Sequence, residues 1–247
     1  MTDETVPTRS DRVASDKRRR QRSVKLFIRD ILIIFVVAVL VSFLIKTFLV
    51  RSFYIPSGSM ENTLLINDRI IVNELEPNLM PVSHGDVVVF TDPGGWLPPT
   101  LPKKQNPVAA GIDWALSVVG LSAPDSDDHL IKRVIGLPGD HVTCCNALGQ
   151  ISVNGVPLKE PYIKLPPGQS NASHPFDVTV PKGDLWVLGD NRWDSQDSSL
   201  NQSLPGKGFV PEKNVVGRAV LVSWPFSRWA FLDNYPQVFR GVEGTSK

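Results

Sequence analysis

Ile31 to Val50 is a run of 20 residues interrupted only by Ser42, Lys46 and Thr47. A helix of about 20 residues, rising 1.5 Å per residue, matches a ~30 Å hydrocarbon core. The pattern therefore predicts a single transmembrane helix over residues 26–50. Arg29 and Asp30 mark one boundary, and Lys46, one turn from the other end, can snorkel to the interface. Residues 1–25 carry Arg9, Arg12, Lys17, Arg18, Arg19, Arg20, Arg22 and Lys25 against Asp3, Glu4, Asp11 and Asp16. Such a cluster would suit nucleic acid, but directly before an apolar span it acts as a topology signal, so no nucleic-acid partner is expected. The amino terminus then lies in the cytoplasm as a basic, polar tail, and everything after residue 50 lies outside. A cleavable leader would have a shorter apolar core and a small-residue site behind it. Here Arg51-Ser52-Phe53-Tyr54-Ile55-Pro56 follows, so the segment is expected to remain as an anchor.

Of 247 residues, removing the first 50 leaves 197, enough for one large domain with a lobed insertion over 51–247. Short apolar runs between turn signals predict a mainly β domain. Strands are expected at 69–72, 86–90, 177–180, 185–188 and 215–222, the last with a bulge at Gly217. A hairpin is expected over 142–153, within a smaller β lobe of about 142–183, and Asn154-Gly155 is a strong two-residue turn signal. Residues 92–128 read as an insertion, rich in Pro and Gly at first. Its apolar stretch 108–121 suits a short helix, packed on the protein or lying at a membrane interface. Trp224 to Phe231 offers the same two readings, core or interface. Cys144 and Cys145 are adjacent, closer than most disulfides allow, which leaves a strained vicinal disulfide and two thiols both open. His84, His129, His141 and His174 form no ligand spacing, so no metal site is expected.

Three segments carry chemistry. Ser59 lies in Ile55-Pro56-Ser57-Gly58-Ser59-Met60, nine residues beyond the span; nine residues reach at most ~30 Å, which keeps Ser59 near the outer membrane surface. A serine hydroxyl needs a base to become a nucleophile. No histidine stands in a triad motif, but Lys132 is flanked by Leu130, Ile131, Val134, Ile135 and Leu137. Burial among such residues lowers a lysine pKa and makes a neutral amine available. The third segment is Gly189-Asp190-Asn191-Arg192-Trp193-Asp194-Ser195-Gln196-Asp197-Ser198, alone no more than a polar turn.

In their order and spacing, Pro56 to Met60, Gly85 to Phe90, Lys132 to Asp140 and Gly189 to Ser198 resemble the four boxes of the type I signal peptidases. The resemblance covers about residues 50–225. It implies an extracytoplasmic antiparallel β-sheet, partial-barrel catalytic domain behind one membrane anchor in the plasma membrane. It also implies a serine endopeptidase that removes signal peptides from exported preproteins after small-x-small sites, with no cofactor and a Ser-Lys dyad. On the matching positions Ser59 is the nucleophile, Lys132 the base, and Ser57 with the Ser59 amide the oxyanion donors. Ser195 orients the lysine, and Asp190 and Asp197 give support. Substrate would pair as an added strand. Ile55, Met60, Leu64, Leu130 and Ile131 are candidates to line shallow pockets that exclude large side chains. Expected partners are signal peptides, the lipid bilayer and the secretion translocon.

Two positions depart from the family pattern. Asn62 stands where proline is common, and Ser199 where arginine is common; the latter predicts the loss of an ion pair to Asp190. A repressor-type self-cleaving protease shares the dyad but requires a DNA-binding head in place of the basic tail and span. A specialised peptidase for pilus or lipoprotein precursors is closer, though lipoprotein processing uses a multi-span aspartic enzyme that a single span excludes. A non-catalytic scaffold is an alternative from another class, and the joint presence of Ser59, Lys132 and Ser195 argues against it.

Overall fold

The computed structural model describes residues 26–42, 50–77, 79–98 and 128–242. The chain divides into two compact units, Met1–Phe48 and Leu49–Lys247. In the first, residues 26–42 are helical. Among the described residues no helix is long and apolar enough to cross a membrane. The expected span continues through 43–49, outside the described residues, as do the basic tail and the expected apolar helix at 108–121.

The second unit is built from β1 (Val50–Tyr54), β2 (Arg69–Asn73), β3 (Val87–Thr91), β4 (His129–Gly136), β5 (His141–Cys144), β6 (Ile151–Val153), β7 (Val156–Pro157), β8 (Phe176–Thr179), β9 (Asp184–Leu188), β10 (Val210–Pro211), β11 (Val215–Trp224) and β12 (Ala230–Phe231). The larger sheet runs β1-β2-β11-β3-β4-β9-β10, with β12 on β11; the smaller runs β7-β6-β5-β8. Every strand pairing is antiparallel, as the mainly β reading requires.

Period-2 alternation sorts the larger sheet's side chains onto two buried faces. Val87 and Val89 of β3 join Ile131, Phe53, Ile55, Met60, Leu64 and Ile70 in one cluster. Val88 and Phe90 join Leu130, Val134, Leu185 and Val187 in another. Burial on both sides explains why β3 reads as a continuous apolar run. The smaller sheet closes a third cluster around Ile151, Phe176 and Trp186.

Several turns follow from local sequence. Asn154 and Gly155 both have positive φ, 52° and 81°, and join β6 to β7 as the Asn-Gly pair predicts. At Gly217 the β11–β3 register shifts. A Cβ there would come within 2.4 Å of the Asn73 carbonyl oxygen, so the bulge depends on glycine. Cys144 and Cys145 are bonded to each other across a cis peptide, with Cα atoms 3.0 Å apart rather than the ~3.8 Å of a trans link. Of the two readings left open, the structure takes the disulfide.

β4 carries the feature that positions the site. β3 pairs with it from His129 to Arg133, whereas β9 meets it only from Arg133 onward. Leu130, Ile131 and Lys132 therefore have no described strand on their second side.

Candidate active site

Ser59 leaves β1 through Ile55, whose amide donates to the Asp68 carbonyl at 2.9 Å while its own carbonyl accepts from the Asn67 amide at 2.9 Å. These bonds hold both ends of the segment. After Ser59 the chain makes a single tight turn, in which the Thr63 and Leu64 amides donate to the Met60 carbonyl at 2.9 and 2.8 Å. That turn drives Met60 and Leu64 into the core, where both are fully buried. They were expected to line a substrate pocket, and here the structure corrects the sequence: they form the floor beneath the segment. Ile55, Leu130 and Ile131 do line the cavity beside Ser59, together with Phe53, Ile70 and Val89. The cavity measures about 740 Å³.

Lys132 stands opposite Val88 in the β3–β4 register. Its Nζ donates to Ser59 Oγ at 2.8 Å and to the Ile131 carbonyl at 2.9 Å. The side chain is buried, with the residue 3% exposed. Burial lowers its pKa from the ordinary lysine value to about 8, against the upward pull of Asp197, Asp190 and Asp194. Ser57 Oγ lies 3.3 Å from Ser59 Oγ, on the same short segment. A serine hydroxyl, a buried amine of depressed pKa and a second hydroxyl beside them therefore share one cavity wall.

The loop after β9 closes the back of this group. Asn191 grips the serine segment twice: its amide donates to the Ser59 carbonyl at 3.0 Å, and its Nδ2 to the Gly58 carbonyl at 3.1 Å. Gly189 packs so closely that an added Cβ would meet Ser195 Oγ at 2.3 Å and the Ser59 carbonyl oxygen at 2.6 Å. Ser195 lines the cavity, but its Oγ is buried without a hydrogen-bond partner among the described residues. Its expected bond to the lysine is thus not made in this structure, because Lys132 Nζ is turned to Ser59 and the Ile131 carbonyl.

The two acidic support positions are held differently. Asp190 takes a two-pronged bond from Arg133, Nε at 2.9 Å and Nη2 at 2.7 Å, with both side chains fully buried. The Thr63 hydroxyl also donates to Asp190. The ion pair that Ser199 was expected to forfeit is therefore present, supplied by Arg133. Ser199 serves Asp197 instead, donating its amide at 3.0 Å and its hydroxyl at 2.8 Å, while the Gly189 amide donates to the other carboxylate oxygen at 3.0 Å. Asn62, the other departure, donates to the Ile163 carbonyl at 3.0 Å, which a proline there could not do.

Sequence reasoning did not single out Arg133, Asn191 or Gly189. Arg133 had a usable signal: next to Lys132 on a strand, it must face the opposite side, and a guanidinium buried there needs a carboxylate. The grip of Asn191 on Gly58 had none, since it joins residues 133 positions apart.

The family model described as signal peptidase, peptidase S26, matches residues 28–224. A probable signal peptidase I of Mycobacterium leprae (strain TN) is 40% identical over 204 residues, covering 71% of this chain and 68% of that one. A signal peptidase I of Mycobacterium tuberculosis (strain ATCC 25618 / H37Rv) is 38% identical over 220 residues, covering 82% and 74%. One from Leptolyngbya laminosa is 37% identical over 175 residues, covering 71% and 69%.

Proposed function

The chain belongs to the signal peptidases of peptidase family S26, a family of hydrolases, and we propose that it is a membrane-anchored serine endopeptidase cutting exported preproteins after small-x-small sites. The observation that carries this reading is the 2.8 Å contact of Lys132 Nζ with Ser59 Oγ inside a buried pocket.

The reaction follows from that contact. Above its depressed pKa Lys132 is a neutral amine whose lone pair accepts the Ser59 proton as Oγ attacks the scissile carbonyl. The tetrahedral oxyanion is met by the Ser59 amide and the Ser57 hydroxyl, two donors fixed on one short segment. The lysine then returns its proton to the leaving amine, leaving an ester on Ser59. Water, activated by the same lysine, releases the signal peptide. Ser195, whose hydroxyl is spare, orients the amine during these steps. Asp190 and Asp197 hold the loop that carries it.

Substrate enters extended along the side of Leu130, Ile131 and Lys132 that β9 leaves open, adding a strand to the sheet. The apolar wall of Phe53, Ile55, Ile70, Val89, Leu130 and Ile131 is the surface assigned to the side chains before the bond.

The helical run at 26–42 is the start of the membrane anchor, with the amino terminus cytoplasmic and the catalytic unit outside the plasma membrane. Trp224, Phe226, Trp229 and Phe231 are 48%, 76%, 54% and 73% exposed. Of the two readings of this segment, that exposure favours the lipid interface over the core. Arg228 between them pairs with Asp68 at 2.9 Å, tying the aromatic segment to the chain that carries Ser59.

The test is to quench turnover in acid and map the enzyme by mass spectrometry. An acyl group on Ser59 supports the reading. An adduct at another residue, or none with a substrate whose hydrolysis is slowed, contradicts it.

A further inference from the structure

Resting on the reading of Ser59 and Lys132 as the reacting pair, we propose that Trp193 is a specificity-determining residue for the part of the preprotein that follows the bond, where it favours an apolar side chain.

An extended substrate along Leu130 and Ile131 meets the reacting pair at Lys132, and it can go no further along β4. From Arg133 onward that edge is taken by β9, with Leu188 opposite Arg133 and Val187 opposite Val134. The chain beyond the bond must therefore leave the sheet at Lys132. The loop that follows β9 stands at that point. The Asn191 amide donates to the Ser59 carbonyl at 3.0 Å, and Gly189 packs against the same carbonyl. Two residues on from Asn191, Trp193 lines the same cavity as Ser59 and Lys132.

Both halves of the substrate must lie in that cavity while the bond is cut. The residues before the bond are assigned to the apolar wall that runs from β1 to β4. The rest of the lining comes from loops and includes Leu97, Ser173, His174, Trp193 and Leu200. It is the surface left for the residues after the bond.

Trp193 is 39% exposed, yet it is fixed. Its Nε1 donates to the Ser170 carbonyl at 3.0 Å. Arg192 before it is buried and donates to the Gly189 and Asn171 carbonyls at 3.0 and 2.7 Å, and to the Glu160 carboxylate. A large ring held in place before substrate arrives loses little freedom on binding. With its N–H already satisfied, the ring has only carbon to offer a ligand. Leu200, 37% exposed, adds to the same lining. An apolar side chain gains contact there, whereas a polar one of equal size gives up water without a partner.

The experiment measures kcat/KM on the full chain in nonionic detergent, with peptides that share an Ala-x-Ala segment before the bond. The first, second and third residues after it are varied in turn among Leu, Asn and Glu. The parent is expected to prefer Leu over Asn about 10-fold at one of these positions. Trp193→Ala should cut that ratio to about 2-fold, while the preference for small residues before the bond stays where it is. Trp193→Arg should turn the preference toward Glu. A residue that merely supports the fold cannot produce that reversal.

A parent without preference at all three positions overturns the proposal. So does an unchanged ratio in Trp193→Ala, which would leave the ring to another occupant such as lipid, and so does an equal loss on every peptide. If Trp193→Ala fails to fold, the Leu-to-Glu ratio of Trp193→Arg decides, and a ratio equal to the parent's overturns the proposal. Lys132→Ala keeps the underlying reading separate. Cleavage by that variant at the parent's rate sinks the dyad and the proposal with it. An inactive Lys132→Ala beside an unchanged ratio in Trp193→Ala sinks only the role of Trp193.

Discussion

Lys132 Nζ lies 2.8 Å from Ser59 Oγ, and its other described partner is the Ile131 carbonyl at 2.9 Å. Both partners are neutral, so the amine is buried without a carboxylate bonded to it. That is the condition under which a lysine surrenders its proton near neutral pH. The same sheet register that makes β4 continuous with β3 delivers the amine to the serine.

Activity is expected to rise with pH through about 8, the value to which burial lowers Lys132. Below it the ammonium cannot accept the serine proton; above it the base is ready. A rate profile of kcat/KM from pH 6 to 10 on a peptide substrate checks this. A flat profile would count against the neutral-lysine mechanism.

Stability is also expected to rise with pH, over a higher range. The folded pKa of Lys132 lies below the unfolded lysine value, so the unfolded state binds the extra proton between about pH 8 and about 10.5. Lysine burial therefore costs most below pH 8 and nothing above pH ~10.5. Lys132→Met should abolish cleavage yet raise stability at pH 7 by up to about 3 kcal/mol, from 1.36 kcal/mol per pKa unit. Urea melts at pH 7 and pH 10 should show the gain shrinking with pH. A destabilised variant at pH 7 would contradict the account.

Gly189→Ala inserts a methyl group against Ser195 Oγ and the Ser59 carbonyl. Because both contacts lie at the reacting group and away from the apolar wall, the loss is expected in kcat, by roughly 100-fold, with KM little changed. Steady-state kinetics on the folded variant decides it. A change confined to KM would place Gly189 in substrate binding instead.

Replacing Trp224, Phe226, Trp229 and Phe231 together by serine should weaken the interaction of the catalytic unit with lipid while leaving peptide cleavage in detergent intact. Cleavage of a preprotein in vesicles against cleavage of a soluble peptide gives the contrast. Equal losses in both assays would mean that the aromatics support the fold.

The proposed reacting groups each sit in a short local box, where the chemistry of a serine and an apolar-flanked lysine is carried by residue type, and the structure brings the two within 2.8 Å. The strands at β2, β3, β9 and β11 were legible from their apolar runs. β1 was not, since its pairing with β2 joins residues 15 to 23 positions apart, from Tyr54 with Arg69 to Val50 with Asn73. The pocket assignment failed for Met60 and Leu64 because nearness in sequence to Ser59 says nothing of the turn that buries them. Ser199 was misjudged for a similar reason: Asp190 draws its cation from Arg133, 57 residues away.

The most direct test is cleavage of a presecretory protein by the full chain in detergent or lipid, beside Ser59→Ala and Lys132→Ala, with the product's new amino terminus sequenced. The account predicts one cut after a small-x-small site in the parent and none in either variant. Unchanged cleavage by either variant would remove that residue from the mechanism and contradict the Ser59–Lys132 dyad.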